Sequence, residues 1–215
     1  MAAVHDGALP PNGDVKAKVT AKKKVADDKP IMTFRAKNDW SAWLEREGSA
    51  SAGVWIRLAT KASGIESIAY DEAVEAALCH GWIDGQGRSD DENWWLQKFT
   101  PRGKRSIWSK RNREKVAALT KSGEMKPAGL AEVDRAKADG RWDAAYDSPK
   151  QMSVPDDFES ALTGNARAKK FFLELDSQNR YAILFRVNTA TKPETRAKRI
   201  EKFVSMLALH EKIYP

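Results

Sequence analysis

Read for the spacing of apolar and polar positions, the chain changes character at Phe34. Beyond it, Trp40, Trp43 and Leu44 recur at i, i+3, i+4 and predict a short helix. The run from Gly53 to Ala59 predicts a strand. Tyr70, Ala73, Val74, Ala77 and Leu78 then form one helical stripe. Asp71 and Glu72 lie in its favourable first turn, and Gly81 stands where a left-handed residue closes a helix. Trp82 to Gly85 and Asn93 to Thr100 predict a hairpin joined by the polar loop Gln86 to Glu92. After Pro101 the pattern turns helical. Ser109 caps a helix ending near Gly123, Pro127 opens another ending near Gly140, and Trp142 and Tyr146 follow as anchors.

A turn-rich linker, Asp147 to Pro155, precedes four further helical patterns. They run through Phe158 and Leu162; Ala168, Phe171, Phe172 and Leu175; Tyr181, Leu184 and Phe185; and Ile200, Phe203, Val204 and Leu207. The expected architecture is α+β: a small antiparallel sheet covered by helices, followed by a helical C-terminal module. Its expected parts are a disordered basic arm over 1–32, a central domain over 33–147 and the module over 148–215. Lys22, Lys23 and Lys24 fall in the arm.

Composition narrows the class. Over 215 residues, 41% are hydrophobic and 31% charged, which is globular rather than fibrous or disordered. No window approaches the roughly 18 consecutive apolar residues of a membrane helix, and no apolar leader opens the chain. A cytoplasmic protein with no membrane partner is therefore expected. One cysteine, Cys79, excludes an internal disulfide, and His5, His80 and His210 lie too far apart to form a spaced metal cluster. No metal and no cofactor are implied.

Charge is unevenly placed. Between Lys98 and Lys115 eight basic residues face a single acid, a net of +7 that equals the excess of the whole chain. Lys192 to Lys202 adds five basic residues against two acids. Such clustering points to an anionic partner, either a small molecule or nucleic acid, although charge runs also serve as solvated faces. Signatures of phosphate loops, nucleophile elbows, zinc proteases and dinucleotide folds are absent from the sequence.

Chemistry-bearing residues concentrate between Cys79 and Asn112. Ser109 reads as an N-cap, yet Lys110, Arg111 and Arg113 occupy the first helical turn, where cations are disfavoured. A bound anion would relieve that conflict, held by Arg102, Lys104, Arg105, Ser109, Arg111 and Asn112, with Trp82 and Trp108 as aromatic walls. Alternatively Asp90, Asp91 and Glu92 pair with these arginines internally. His80 and Asp84 bracket Gly81-Trp82-Ile83 and could form an acid-base pair; equally, His80 could cap a helix end and Asp84 anchor a turn. Cys79, on an apolar helix face, reads as a small buried hydrophobe. Trp94 and Trp95, adjacent on a strand, must point to opposite faces.

The segments Ala77-Leu78-Cys79-His80-Gly81-Trp82-Ile83-Asp84-Gly85, Phe99-Thr100-Pro101-Arg102, Ser106 to Asn112 and Gly140 to Tyr146, taken in order, resemble the YdeI/OmpD-associated (OmdA) family, often labelled bacteriocin-protection proteins. The tail from Pro155 through Phe171-Phe172 to Pro193-Glu194-Thr195-Arg196-Ala197-Lys198-Arg199-Ile200 is similar to that family's C-terminal helical module. The resemblance spans Phe34 to Glu211. It departs at Phe185, where a tryptophan is expected, and at Ala190-Thr191-Lys192, where an Ala-Lys pair is. It implies a role in protection against bacteriocins or stress and carries across no reaction, cofactor or catalytic residue. The expected function is a non-enzymatic protein that binds an anionic ligand. The alternatives are an enzyme using His80 and Asp84, and a protein-interaction module using Trp94 or Trp95 and the helical tail.

Overall fold

The computed structural model describes residues 28–215. The chain runs β1 (Ile31–Met32), α1 (Lys37–Glu47), β2 (Val54–Ala59), α2 (Tyr70–Cys79), β3 (Trp82–Ser89), β4 (Trp94–Pro101), α3 (Lys110–Lys121), α4 (Pro127–Ala138), α5 (Asp156–Thr163), α6 (Ala166–Glu174), α7 (Ser177–Asn188) and α8 (Pro193–Ala208). This is the expected α+β architecture, with helices where the 3.6-residue spacing placed them.

Two features depart from expectation. The sheet, ordered β1-β2-β4-β3, is mixed: β1 runs parallel to β2, with Ile31 opposite Trp55 and Met32 opposite Ile56. Ile31 and Met32 thus belong to the sheet rather than to an arm, the Pro30 carbonyl before them accepts from the Trp55 N–H, and residues 1–27 of the expected arm lie outside the described residues. The second departure is β3, which continues to Ser89 through a register shift between Asp84 and Gly87. Polar residues that read as loop are here an exposed edge strand, where alternation no longer reports burial.

One sheet face carries the core. Val54, Ile56, Leu58 and Phe99 pack there with Ile68, Ala73, Leu78 and Trp82. At the centre is Trp40, fully buried, its indole N–H donating to the Ala73 carbonyl at 3.1 Å. Phe34, Trp43, Trp82 and Phe99 surround its ring at centroid distances of 5.1 to 5.8 Å. Trp94 and Trp95 do part as expected: Trp95 packs on this core, and Trp94 lies beneath the Arg57 guanidinium. Trp55 is likewise roofed by Arg88, 4.5 Å from its ring.

Helices α5 to α8 enclose a second apolar cluster of Phe158, Leu162, Phe172, Ile183, Leu184, Phe203 and Leu207. It is locked by Asn179, which is 1% exposed. Its amide oxygen accepts from the backbone N–H groups of Ile213 and Tyr214, and its amide nitrogen donates to Asp176. Asn179→Ala strands the two N–H groups and is expected to cost about 2 kcal/mol, measurable by urea denaturation, with the tail after Leu209 becoming sensitive to protease.

Candidate functional site

Two local signals and one long-range contact, between α2 and α4, build the region around His80. The α2 stripe ends at Cys79, and Gly81, at φ +75°, turns the chain into β3. Across this turn, Lys126 donates its N–H to the Cys79 carbonyl at 3.1 Å, which seats the start of α4 on the end of α2. Gly129 makes the approach possible: a Cβ there would lie 2.3 Å from the Cys79 oxygen. The junction borders a cavity of about 440 Å³ lined by His80, Gly81, Trp82, Arg102, Lys126 and Ala128, with Glu45 and Glu132 also on its wall.

Arg102 is the unusual group. It is 5% exposed, stacks over Trp108 at 3.4 Å and donates one hydrogen bond, to the Ile107 carbonyl at 3.3 Å. Its Nε and Nη2 have no partner among the described residues. Burial pulls its pKa down to about 10, while Asp84 and Glu132 act on it only through space. Glu132 is itself held by Arg135. A buried guanidinium without a bonded carboxylate carries an unrepaid desolvation cost, which a bound anion would offset.

Other features of this cavity are compatible with that need. Nε2 of His80 lies 2.9 Å from the Ser41 hydroxyl, and the imidazole pKa is lowered, first by burial and then by Lys126, against the opposing pull of Glu45. No side chain caps α4, whose first residues line the wall, so the positive end of its dipole opens there. The last carbonyls of α2 are already occupied by the N–H groups of His80, Gly81 and Lys126.

A second cavity, about 190 Å³, lies where the C-terminal helices meet the central fold. Asp84 lines it and accepts from the Tyr70 hydroxyl at 2.7 Å; Ser109, Arg111, Asn112, Tyr146 and Tyr181 line it as well. Burial and the neighbouring Asp84 push the Tyr70 pKa well up, so its phenol remains a donor.

The structure therefore divides the residues that sequence reasoning grouped. His80, Trp82 and Arg102 border the first cavity; Asp84, Ser109, Arg111 and Asn112 border the second. His80 and Asp84 do not form a pair, because each is bonded elsewhere, to Ser41 and Tyr70, and lines a different cavity. Trp108 is 1% exposed beneath Arg102 and beside Trp142, and presents no face to a ligand. Lys104 and Arg105 are exposed and line neither cavity.

At the start of α3 the backbone is already largely satisfied. The Lys110 N–H donates to the Tyr146 carbonyl, and the Asn112 N–H to the Ser109 hydroxyl at 3.1 Å. The cations there have protein partners: Lys110 with Asp147, Arg111 with Asp71 and Lys115 with Glu75. Asp90 and Asp91, read as partners for the basic segment, instead hold Arg57. Cys79 is buried, as its apolar helix face implies, with its thiol pKa pushed up to about 11. Sequence reasoning misses Lys126, Tyr70, Tyr146 and Tyr181 as cavity residues. The tyrosines read only as packing or anchor positions, and Lys126 leaves no signal beyond the Pro127 it precedes.

Residues 151–210 match the family described as Bacteriocin-protection, YdeI or OmpD-Associated (OmdA). Residues 32–132, which the resemblance also spans, match a Domain of unknown function (DUF8412). No curated protein and no solved structure matches the chain. Among the described residues, no helix is long and apolar enough to cross a membrane.

Proposed function

We propose that this chain, whose residues 151–210 match the OmdA family, binds a small phosphate- or carboxylate-bearing ligand in the cavity between α2 and α4. The observation that carries this reading is Arg102, a residue of the cavity wall with two guanidinium nitrogens unpartnered among the described residues and closed to solvent, which a ligand reaches as the side chain turns toward the cavity. Lys126 and the uncapped start of α4 add positive potential to the same wall, His80 adds it once protonated in acid, and of the two acids there Glu132 is held by Arg135. A small anion is favoured over a nucleic-acid backbone because the basic run is largely committed internally. Lys110, Arg111 and Lys115 are ion-paired, Arg113 donates to the Trp142 carbonyl, and Arg102 is enclosed. Protection of the kind in the family description would then act through a ligand held by the protein.

Sulfate tests this cleanly because its charge does not change between pH 5 and 8. The folded protein holds the His80 imidazole pKa below its ordinary value. Without an anion, that preference contributes stability above the unfolded pKa of about 6.5, and the contribution is lost as pH falls through 6.5 toward the lower folded value. A bound anion favours the imidazolium, so binding takes up a proton and tightens in acid. Calorimetric titration is expected to give tighter sulfate binding at pH 5.5 than at pH 8, weaker binding in Lys126→Ala, and no pH difference in His80→Asn. Absence of binding by both sulfate and inorganic phosphate would overturn the reading.

A further inference from the structure

The second cavity poses a different recognition problem, independent of the anion site. From β3 and α2 it receives acceptors: the Asp84 carboxylate, the oxygen of the Tyr70 hydroxyl that donates to it, and the Asp71 carboxylate. From α3 it receives Asn112, Lys115, which is bonded to Glu75, and Arg111, whose Nη2 donates to Asp71 at 2.6 Å in an exposed pair. Tyr146 and, from α7, Tyr181 complete the wall. The two phenols are held in place by Phe185, whose ring lies 4.9 Å from Tyr146 and 5.8 Å from Tyr181.

The charges set what can enter. A simple anion would meet Arg111 and Lys115 but would also face Asp71 and Asp84; a simple cation would meet the two acids but face the two bases. A ligand bearing both charges satisfies each wall. The volume is a further restriction. A cavity of about 190 Å³ suits a compact molecule.

We infer that the cavity binds a small zwitterion of the α-amino-acid class, its ammonium group on Asp84 and the tyrosine oxygens and its carboxylate on Asn112, Lys115 and Arg111, where it takes the place of Asp71 in an exposed ion pair. Because Tyr181 comes from α7 and Asp84 from β3, the bound molecule bridges the C-terminal helices and the sheet.

The test is calorimetric titration of the full chain with each of the twenty standard L-amino acids. The tightest is then compared with its deaminated acid and its decarboxylated amine. At least one amino acid is expected to bind, with a loss of tenfold or more on removal of either charged group. Asp84→Asn is expected to weaken binding tenfold or more, and Asn112→Ala and Tyr181→Leu to weaken it less, each with a circular-dichroism melt to establish folding. The inference is overturned if no amino acid binds, if the deaminated acid binds as well as its parent, or if a folded Asp84→Asn protein binds normally.

Discussion

Gly81→Val is expected to destabilise the protein by about 3 to 5 kcal/mol, through two separable causes. The first is backbone conformation: at φ +75°, a β-branched residue is strained wherever it sits. The second is space. A Cβ at Gly81 would lie 2.9 Å from the Ala128 carbonyl oxygen and 3.1 Å from Cγ of Glu132, in the line of contact between α2 and α4. Gly140 isolates the first cause, since it has φ +78° and a Cβ there would meet nothing within 4 Å. Gly140→Val should therefore cost only the conformational part, roughly 1 to 2 kcal/mol. Urea denaturation of both variants gives the difference. Equal losses would mean that α4 can yield at Gly81, and with it the wall on which Lys126 and Ala128 stand.

That junction shows why some of the site is legible in the sequence and some is not. The end of α2 is readable because its signals are local: an apolar stripe, acids in the first turn, and a glycine at the left-handed position. The register of β1 is not, because a two-residue parallel edge strand is created by the partner it pairs with and leaves no alternation of its own. Arg102 lies outside reach for a different reason. Within a run of eight bases the prior for any one is exposure, and only the fold reveals that this one is enclosed over Trp108. Sequence reasoning selects the residue as a ligand candidate but places it with Ser109 and Arg111, which border the other cavity. Asp84 pairs in that reading with the nearest histidine in sequence; its actual partner, Tyr70, is on the helix before it. Proximity along the chain is the misleading guide in both cases.

The two readings of Arg102, as a binding group or as a structural one, predict opposite signs for Arg102→Met. If the guanidinium is present for its stack on Trp108 and its bond to the Ile107 carbonyl, losing them should destabilise the protein with or without an anion. If it is present to bind, the protein without ligand carries the cost of an enclosed charge whose Nε and Nη2 are unsatisfied. Methionine removes that charge while filling much of the same space, and its sulfur keeps a favourable contact with the indole. Replacing buried charge by apolar volume commonly stabilises by about 1 to 4 kcal/mol. The expected result is therefore a variant that is more stable than the parent in anion-free buffer and no longer stabilised by sulfate. Sulfate affinity should fall about a hundredfold, corresponding to the loss of charge-assisted hydrogen bonds worth roughly 1.5 to 3 kcal/mol each. Urea denaturation with and without sulfate reads both effects on the same samples. A variant that is less stable than the parent and still responds to sulfate would assign Arg102 to the scaffold and remove the anion site from this cavity.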